Sequence, residues 1–516
     1  MLPQSLTAQV EEQEESVSVP LTGWSCPEYL ADGQGAWPQS GEYVFTASVP
    51  EEYAFVDTPA VTVRITGSVN LLAAGDYTVT TSGNTVTYTF HKFSDGFQRY
   101  SASIAAGQDL ILDFTGVTDN QASSISFEIY PQAEGSTITM KGAPGKNYPI
   151  DFTVQKYPAY PSVDIVLEDF STEEGNDLRL RTTGTSTITY SGSCELGTIW
   201  LTNTSSEQNL TIQERDAGSH LKLKLVSATG DWKKRQLVLD GGTYEIGGGL
   251  SSPFIVIENA DITFTKKDES SLINDLRYIK AAEECQIKNS TLRNVGSISP
   301  GYTYNTGTST TIQDSQIEFN PKLYTGNVGN TALGNVQTIT IDHSTISGLV
   351  VGSSFGCLGG FFETIEIRNQ SEVHAKAESS SAIGPHSAGY DDFSQFTIRI
   401  SDSVVEAASE KGAGIGMPYL YAASQEPTSL PKIDITISGA SDVTATSIHS
   451  AAIGGGRWGN LGSTPDDGKI EVEIGAGIGG WGDGGQIDGN VDLFSLRGAP
   501  ALFATPSQME TEIAQA

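Results

Sequence analysis

The chain repeats one pattern of apolar and polar positions from about residue 185 to about residue 495. Each copy alternates apolar and polar residues, bends at one small or polar residue, and reaches another apolar position a few residues later. The copies read "LVLDGGTY", "IVIENADI", "CQIKNSTL", "TIQDSQI", "ITIDHSTI", "IEIRNQSEV", "IRISDSVV" and "ITISGASDV". Alternation with a period of two is typical of β-strands, so each copy predicts two strands joined at a corner.

The corner position accepts only four residue types. It is occupied by Gly241, Asn259, Asn289, Asp314, His343, Asn369, Asp402 and Gly439. Gly, Asn, Asp and His are the residues that most readily adopt a left-handed backbone conformation, which bends the chain sharply. The spacing of the corners varies from 18 residues (positions 241 to 259) to 37 residues (positions 402 to 439). A repeat of this kind predicts stacked coils, with loops of unequal length between them.

These segments resemble the right-handed parallel β-helix superfamily over roughly residues 185–495. The later coils are also similar to repeats in large surface proteins of gut bacteria, which carry A-x-I-G-G-G turns like "GAGIGM", "AAIGGG" and "AGIGGW" here. The resemblance implies an all-β, right-handed parallel solenoid. It leaves the function open, because the superfamily includes polysaccharide lyases, glycosidases, phage tailspikes and bacterial adhesins.

One Gly-rich turn spells G-x-G-x-x-G at Gly454, Gly456 and Gly459. A dinucleotide-binding loop follows a strand and opens a helix, whereas here a loop and then a strand pattern follow. The same Ala/Gly-Ile-Gly core recurs at coil spacing, with Ile383, Ile415, Ile453 and Ile478, and "ALG" (332–334) and "CLGG" (357–360) are degenerate copies. We therefore predict that these glycines let stacked backbones approach closely and do not bind phosphate.

The segments before the repeat have a different organisation. Residues 41–160 contain short alternating strands and a hairpin signal at Ser82-Gly83-Asn84, which predict an antiparallel, Ig-like β-sandwich. Residues 161–184 are expected to lead into the solenoid (185–495). Residues 1–40 are interpreted as a signal-peptide remnant and linker, since "MLPQSLTA" resembles the tail end of a signal peptide. Residues 496–516 are expected to be a disordered tail or a truncated continuation.

Charge and cysteine content narrow the class of protein. Lys and Arg number 29 against 62 Asp and Glu, a net charge of −33. Such a field repels nucleic acid and anionic membranes, and no run of 18 apolar residues occurs. These features predict a secreted or cell-surface protein that has no nucleic-acid partner and does not insert into a membrane. Four cysteines, Cys26, Cys194, Cys285 and Cys357, lack C-x-x-C spacing and are expected to be free thiols.

The chain does not match the motifs of β-helix enzymes. Polygalacturonase-type enzymes share N-T-D, D-D, G-H-G and R-I-K, and only a D-D occurs here, at Asp391-Asp392. Glu366, Arg368 and Arg399 are interpreted as outward residues on a solvated strand face. No catalytic residue is predicted, and the leading hypothesis is a non-catalytic, adhesin-like protein. Two alternatives stay open: a polysaccharide lyase or glycoside hydrolase, and a phage tailspike-like protein, which would be a trimer.

The Gly-rich turns also contain aromatic and polar side chains. Aromatic rings pack on the C–H face of a sugar while neighbouring polar groups bind its hydroxyls. We therefore predict contacts to host or dietary glycans, or to cell-surface partners. The candidate residues are Arg457, Trp458, Trp481, Tyr419, Tyr421, His386, Asp391 and Asp392.

No organic cofactor is predicted, but two Asp/Gly-rich stretches suit calcium, which prefers carboxylate and carbonyl oxygens. "TPDDGKIE" and "GWGDGGQIDGNVD" supply Asp466, Asp467, Asp483 and Asp488 as candidate ligands. Solvated turns are the alternative interpretation of both stretches.

Overall fold

The computed structural model shows an all-β protein. It describes residues 5–9, 16–26, 41–50, 53, 58–65, 76–155, 161–202, 207–228, 235–265, 277–298, 308–320, 333–334, 337–351, 358–360, 362–378, 380–385, 395–417, 432–448, 452–454, 470–474 and 491–492. These residues form strands, turns and bends, and none of them lies in a helix.

The chain winds as a right-handed β-solenoid whose strands form three parallel sheets. We number the sheets in the order in which the chain passes through them in each coil. The first sheet contains Thr85–Phe90, Asp109–Asp113, Ser136–Lys141, Val163–Glu168, Gly184–Ser191, Gln208–Glu214, Arg235–Asp240, Ser309–Gln313, Thr338–Asp342, Thr364–Arg368, Gln395–Ser401, Lys432–Ser438 and Ile470–Ile474. The second contains Asn147–Tyr148, Ser171–Thr172, Asp261–Phe264, Thr291–Val295, Gln316–Phe319, Thr345–Val351, Glu372–Ala377, Val404–Ser409, Asp442–Ser447 and Val491–Asp492.

The third sheet contains Lys92–Ile104, Asp119–Pro131, Ile150–Gln155, Leu178–Arg181, Ser297–Ile298, Leu333–Gly334, Leu358–Gly360, Ile383–Pro385, Ile415–Gly416 and Ile453–Gly454. Four longer strands continue from one sheet into another: Ser193–Leu201, His220–Ala228, Thr243–Glu258 and Tyr278–Lys288. Each coil therefore covers the apolar edge of the next one, as the repeat pattern predicts.

Identical residues stack on one another inside the solenoid. In the first sheet, paired Cα positions join Ile312, Ile341, Ile367, Ile400 and Ile437 in one column, and all five side chains are fully buried. Burial of each such side chain stabilises the fold by about 1.5–3 kcal/mol. A register slip of one residue would turn every one of them to solvent, so the column also fixes the pairing.

The predicted corners have the predicted backbone conformation. Positive φ angles occur at all eight positions, from 45° at Asn289 to 69° at Gly241 and Gly439. Two earlier corners that the sequence pattern did not reveal behave the same way, at Asp169 (46°) and Gly192 (72°). Left-handed turns of one residue, or of two at Gly241-Gly242 and Asn369-Gln370, therefore separate the first sheet from the second along most of the solenoid.

A column of buried serines follows the corners. Ser290, Ser315, Ser344 and Ser371 are each less than 5% exposed. In each step the backbone N–H of one serine donates to the Oγ of the next coil's serine, at 3.1–3.2 Å, from Ser290 through Ser371. Each hydroxyl also donates to a carbonyl of its own corner, as Ser344 does to Asp342 at 2.7 Å. Since these groups are buried, the column satisfies donors that would otherwise be costly to leave unpaired.

The Ala/Gly-Ile-Gly turns are the third-sheet strands of the later coils. Their glycines stack in one column of Gly334, Gly359, Gly384, Gly416 and Gly454. A Cβ on Gly416 would lie 2.2 Å from the carbonyl oxygen of Gly454, and its φ is 134°. The close backbone approach predicted for these glycines is confirmed at Gly454, while Gly456 and Gly459 lie outside the described residues.

The parallel sheets begin earlier than the sequence pattern indicates. The hairpin at Ser82-Gly83-Asn84 is confirmed: Tyr77–Ser82 pairs antiparallel with Thr85–Phe90. However, Thr85–Phe90 then pairs in parallel with Asp109–Asp113, and the strands through Ile150–Gln155 continue that pattern. Antiparallel pairing otherwise joins Ser5–Gln9 to Ser16–Pro20, and Gly41–Ser48 to both Gly23–Ser25 and Ala60–Ile65.

The assignment of residues 85–155 to an antiparallel sandwich is therefore corrected. Period-two alternation records which strand face is buried but not which strand pairs with which. A sandwich and a solenoid coil give the same alternation, and the real hairpin signal favoured the antiparallel interpretation.

The glycine column yields a stability prediction. We expect Gly416→Ala to lower local stability by at least about 2 kcal/mol, because the new Cβ meets the Gly454 carbonyl and the φ suits only glycine. Native-state hydrogen exchange of the neighbouring third-sheet amides measures this loss. Gly247→Ala is the matched control, since its Cβ would lie 3.7 Å or more from other atoms. Equal exchange in the two variants would contradict the close-approach explanation.

Candidate functional site

The twelve candidate residues from the sequence lie outside the described residues. They are the ligand candidates Tyr419, Tyr421, His386, Asp391, Asp392, Arg457, Trp458 and Trp481, and the calcium candidates Asp466, Asp467, Asp483 and Asp488. Their roles remain predictions. Among the described residues, no group of three or more His, Cys, Asp or Glu side chains could hold a metal ion.

The outer face of the first sheet is rich in hydroxyl and amide side chains. Two rows of outward residues run along the stack, and neighbours within a row are about 4.8 Å apart. One row contains Thr187, Thr211, Val238, Val256, Gln286, Thr311, Thr340, Glu366, Arg399 and Thr436. The other contains Asn209, Gln236, Phe254, Glu284, Ser309, Thr338, Thr364, Thr397 and Asp434. We call these two rows the hydroxyl-rich face.

Several carboxylates on and beside this face are paired with cations of adjacent coils. Arg399 lies 3.3 Å from Glu366, and Arg368 lies 3.0 Å from Asp342. Glu366 and Arg399 were interpreted from the sequence as outward residues on a strand face, and the structure places them there as an ion pair. These carboxylates are therefore engaged in contacts between coils.

Glu168, at the end of a first-sheet strand, is also paired with cations of other coils. Lys141 lies 3.0 Å and Arg215 2.8 Å from its carboxylate oxygens. Partial burial acts to raise the pKa of Glu168, but the hydrogen bonds and positive charge of Arg215 and Lys141 hold that pKa below its usual value. Glu168 is therefore a structural partner that ties three coils together.

The outer face of the second sheet carries a histidine between two glutamates. His374 Nε2 lies 2.8 Å from Glu372 on the same strand, and His374 Nδ1 lies 2.8 Å from Glu406 on the next coil. Both ring nitrogens must donate to satisfy both carboxylates, which requires the protonated imidazolium. The hydrogen bond to Glu372, followed by the bond and charge of Glu406, raises the pKa of His374. Sequence reasoning assigned no role to His374.

The outer face of the third sheet carries aromatic and charged side chains near its N-terminal end. The indole Nε1 of Trp200 donates to Asp177 Oδ2 at 2.9 Å, and a guanidinium nitrogen of Arg179 lies 3.3 Å from the same oxygen. The other oxygen of Asp177 accepts the backbone N–H of Thr198 at 2.9 Å. Asp151 supports the cluster by accepting the backbone N–H of Asp177 at 2.7 Å.

A second aromatic group lies on the same face. The hydroxyl of Tyr130 donates to Glu128, whose other oxygen bonds Arg99. Gln155, one coil on, accepts a hydrogen bond at 3.1 Å from Arg181, which lies two coils on. Sequence reasoning missed Trp200 and Tyr130, although each follows the alternation of its strand: "GTIWL" and "SFEIY" place both at outward positions.

The three described cysteines form no disulfide bonds. Cys194 and Cys285 are free and buried, as expected, and Cys26 is free and partly exposed. Burial raises the pKa of the Cys285 thiol to about 12, so it stays protonated and unreactive. Cys357 lies outside the described residues. In the part of the chain that the structure describes, no helix has the length and apolarity needed to cross a bilayer.

Comparison with known proteins does not assign the chain to a family. No family model matches it, and neither does a curated protein or a solved structure. The solenoid is therefore established by its own strand pairing. Membership of the β-helix superfamily and the likeness to bacterial surface repeats remain predictions from the sequence.

The His374 bridge yields a pH prediction. Because the folded-state pKa of His374 is raised, its contribution to stability is complete below about pH 6.5, the ordinary histidine pKa, and is lost as the pH rises through the folded-state pKa. We expect the denaturation midpoint of the wild type to fall over that window relative to His374→Gln. His343→Asn, which keeps a corner residue type, is the control and should retain the fall. Parallel midpoints for the wild type and His374→Gln from pH 5 to 9 would contradict the bridge.

Proposed function

We propose that this chain is a non-catalytic, adhesin-like protein of the right-handed parallel β-helix superfamily that acts outside the cell. The observation that carries the proposal is the hydroxyl-rich face, which extends over many coils of the first sheet. Its rows combine hydroxyl and amide groups with few charges, and the carboxylates at Glu366 and Asp342 are held by cations. This is a surface for contact and not an arrangement of proton donors and acceptors around a substrate.

The solenoid suits adhesion for a physical reason. Every outward side chain on the face is held by a strand that pairs with both neighbouring coils, so little order is lost when a partner binds. Many weak contacts at regular spacing add up when they bind one extended partner at the same time. The face therefore favours host or dietary glycans, or a cell-surface partner, over a small ligand.

The charge supports an extracellular location. A net charge of −33 keeps the protein soluble and repels nucleic acid and the anionic surface of membranes. An acidic, repetitive and rigid chain of this kind is expected to project from a surface or to be secreted. Calcium at the Asp-rich turns, if bound, would reinforce the last coils without a role in chemistry.

A binding and turnover experiment tests this function. The purified chain is applied to immobilised glycans and extracellular proteins, and the same glycans are assayed for new reducing ends and unsaturated uronates. We expect binding without turnover. The double change Thr311→Glu and Thr340→Glu puts two charges at the centre of the face and should weaken binding at least about tenfold, which corresponds to 1.4 kcal/mol.

The matched control is Thr263→Glu with Thr291→Glu, two outward threonines of the second sheet. It should bind like the wild type. Turnover of any polysaccharide would favour the lyase or glycosidase alternative, and a trimer in sedimentation would favour the tailspike-like alternative. Equal binding by both double variants would contradict the role of the hydroxyl-rich face.

A further inference from the structure

We propose that the third sheet holds a separate binding site for a neutral oligosaccharide. The site, here called the third-sheet patch, consists of Glu128, Tyr130, Asp177, Arg179, Arg181 and Trp200. It rests on the adhesin-like function proposed above and names a ligand class for it. Three observations support this site: the contacts of these side chains, the positions of their strands and the local balance of charge.

The ring of Trp200 is held in one orientation. Its Nε1–H is fixed by Asp177 Oδ2 at 2.9 Å, and Asp177 is itself fixed by the backbone N–H of Thr198. Arg179 is the paired residue on the preceding strand and reaches the same carboxylate. A partly exposed indole that is locked at one edge presents its face at little entropic cost, as sugar-binding aromatic residues do.

The fold does not need an aromatic residue at this position. In the row of Trp200, the paired residues of the next two coils are Ser227, which is partly exposed, and Ser251, which is buried. Small hydroxyl residues therefore satisfy the same sheet position one and two coils away. The large ring at Trp200 is explained by a contact outside the solenoid and not by packing within it.

Tyr130 extends the patch along the stack. Its strand lies three steps from that of Trp200, through Ile150–Gln155 and Leu178–Arg181, so the two strands are about 14 Å apart. Between them lie Arg179 and Arg181, and the latter is hydrogen bonded to Gln155 at 3.1 Å. A single sugar ring is too short to span this distance, so the ligand is a chain of several sugars.

The charges favour a neutral ligand. Arg99 is paired with Glu128, and Arg179 with both Asp151 and Asp177. With Arg181, which donates to the neutral Gln155, three guanidinium groups face three carboxylates. The whole chain carries −33, so its field repels polyanions. Sugar hydroxyls both donate and accept, and paired Arg and Asp side chains offer acceptors and donors side by side beside the rings.

Affinity gel electrophoresis of the full chain tests this site. The gels contain a neutral polysaccharide (dextran, mannan or xyloglucan) or an anionic one (polygalacturonate or heparin). We expect at least one neutral polysaccharide, and neither anionic one, to retard the chain. Trp200→Ala should weaken this retardation at least about tenfold. Trp24→Ala, at a partly exposed tryptophan of the antiparallel strand Gly23–Ser25 outside both proposed surfaces, is the control and should not weaken it.

Thermal unfolding shows whether Trp200→Ala folds. If it does not, Arg181→Gln, which changes an exposed side chain, replaces it. This variant should weaken the retardation at least about threefold. The proposal is overturned by no retardation in any neutral gel, by retardation in anionic gels alone, or by equal loss in the Trp24 control. Adhesion that survives Trp200→Ala but not the Thr311/Thr340 change would reject this patch and leave the adhesin-like function standing. The reverse pattern would reject the hydroxyl-rich face as the adhesive surface and support the patch.

Discussion

Most coils of this protein depend on a sharp left-handed turn between the first sheet and the second. The turn has to redirect the chain within one or two residues so that both strands keep an apolar face toward the interior. Gly, Asn, Asp and His tolerate this backbone at little cost, and those residues occupy the corners at positive φ. The buried serine column after the corners stabilises the turn, because each hydroxyl bonds its own coil while accepting an N–H from another. The stack can therefore repeat without leaving buried donors unpaired.

The same constraint explains where function can be located. The interior columns and the glycine column leave almost no freedom, since stacked isoleucines and a Cβ-free backbone are required there. The outward positions are not constrained in this way, and the three faces differ accordingly. The first carries hydroxyl and amide rows, the second carries charge pairs such as the one around His374, and the third carries Trp200 and Tyr130. Side-chain differences between the three outer faces therefore reflect binding to other molecules more directly than side-chain differences in the core do.

Part of this structure could be predicted from the sequence. The corners at Asn259, Asp314 and His343 are recognisable because a specific residue type must occupy a special backbone conformation. The pairing of residues 85–155 could not be predicted, because alternation describes a strand's two faces and carries no information on its partners. Trp200 was overlooked for a related reason: aromatic residues were sought in Gly-rich turns, whereas this one lies at a polar position of a strand. The clusters around Asp177 and His374 join residues from neighbouring coils. Predicting these contacts requires the strand register, which the sequence pattern does not provide.

The most direct test of the central claim is the removal of one whole coil. Deletion of residues 315–343 joins Asp314 to Ser344, which is the position equivalent to Ser315 in the next coil. Because coils are interchangeable units of a stack, this variant should keep the β-sheet circular dichroism and a cooperative thermal transition within several degrees of the wild type. Deletion of residues 315–329 removes part of a coil and should abolish the transition. If the whole-coil deletion unfolds the chain as severely as the partial one, the stacked-coil account is wrong.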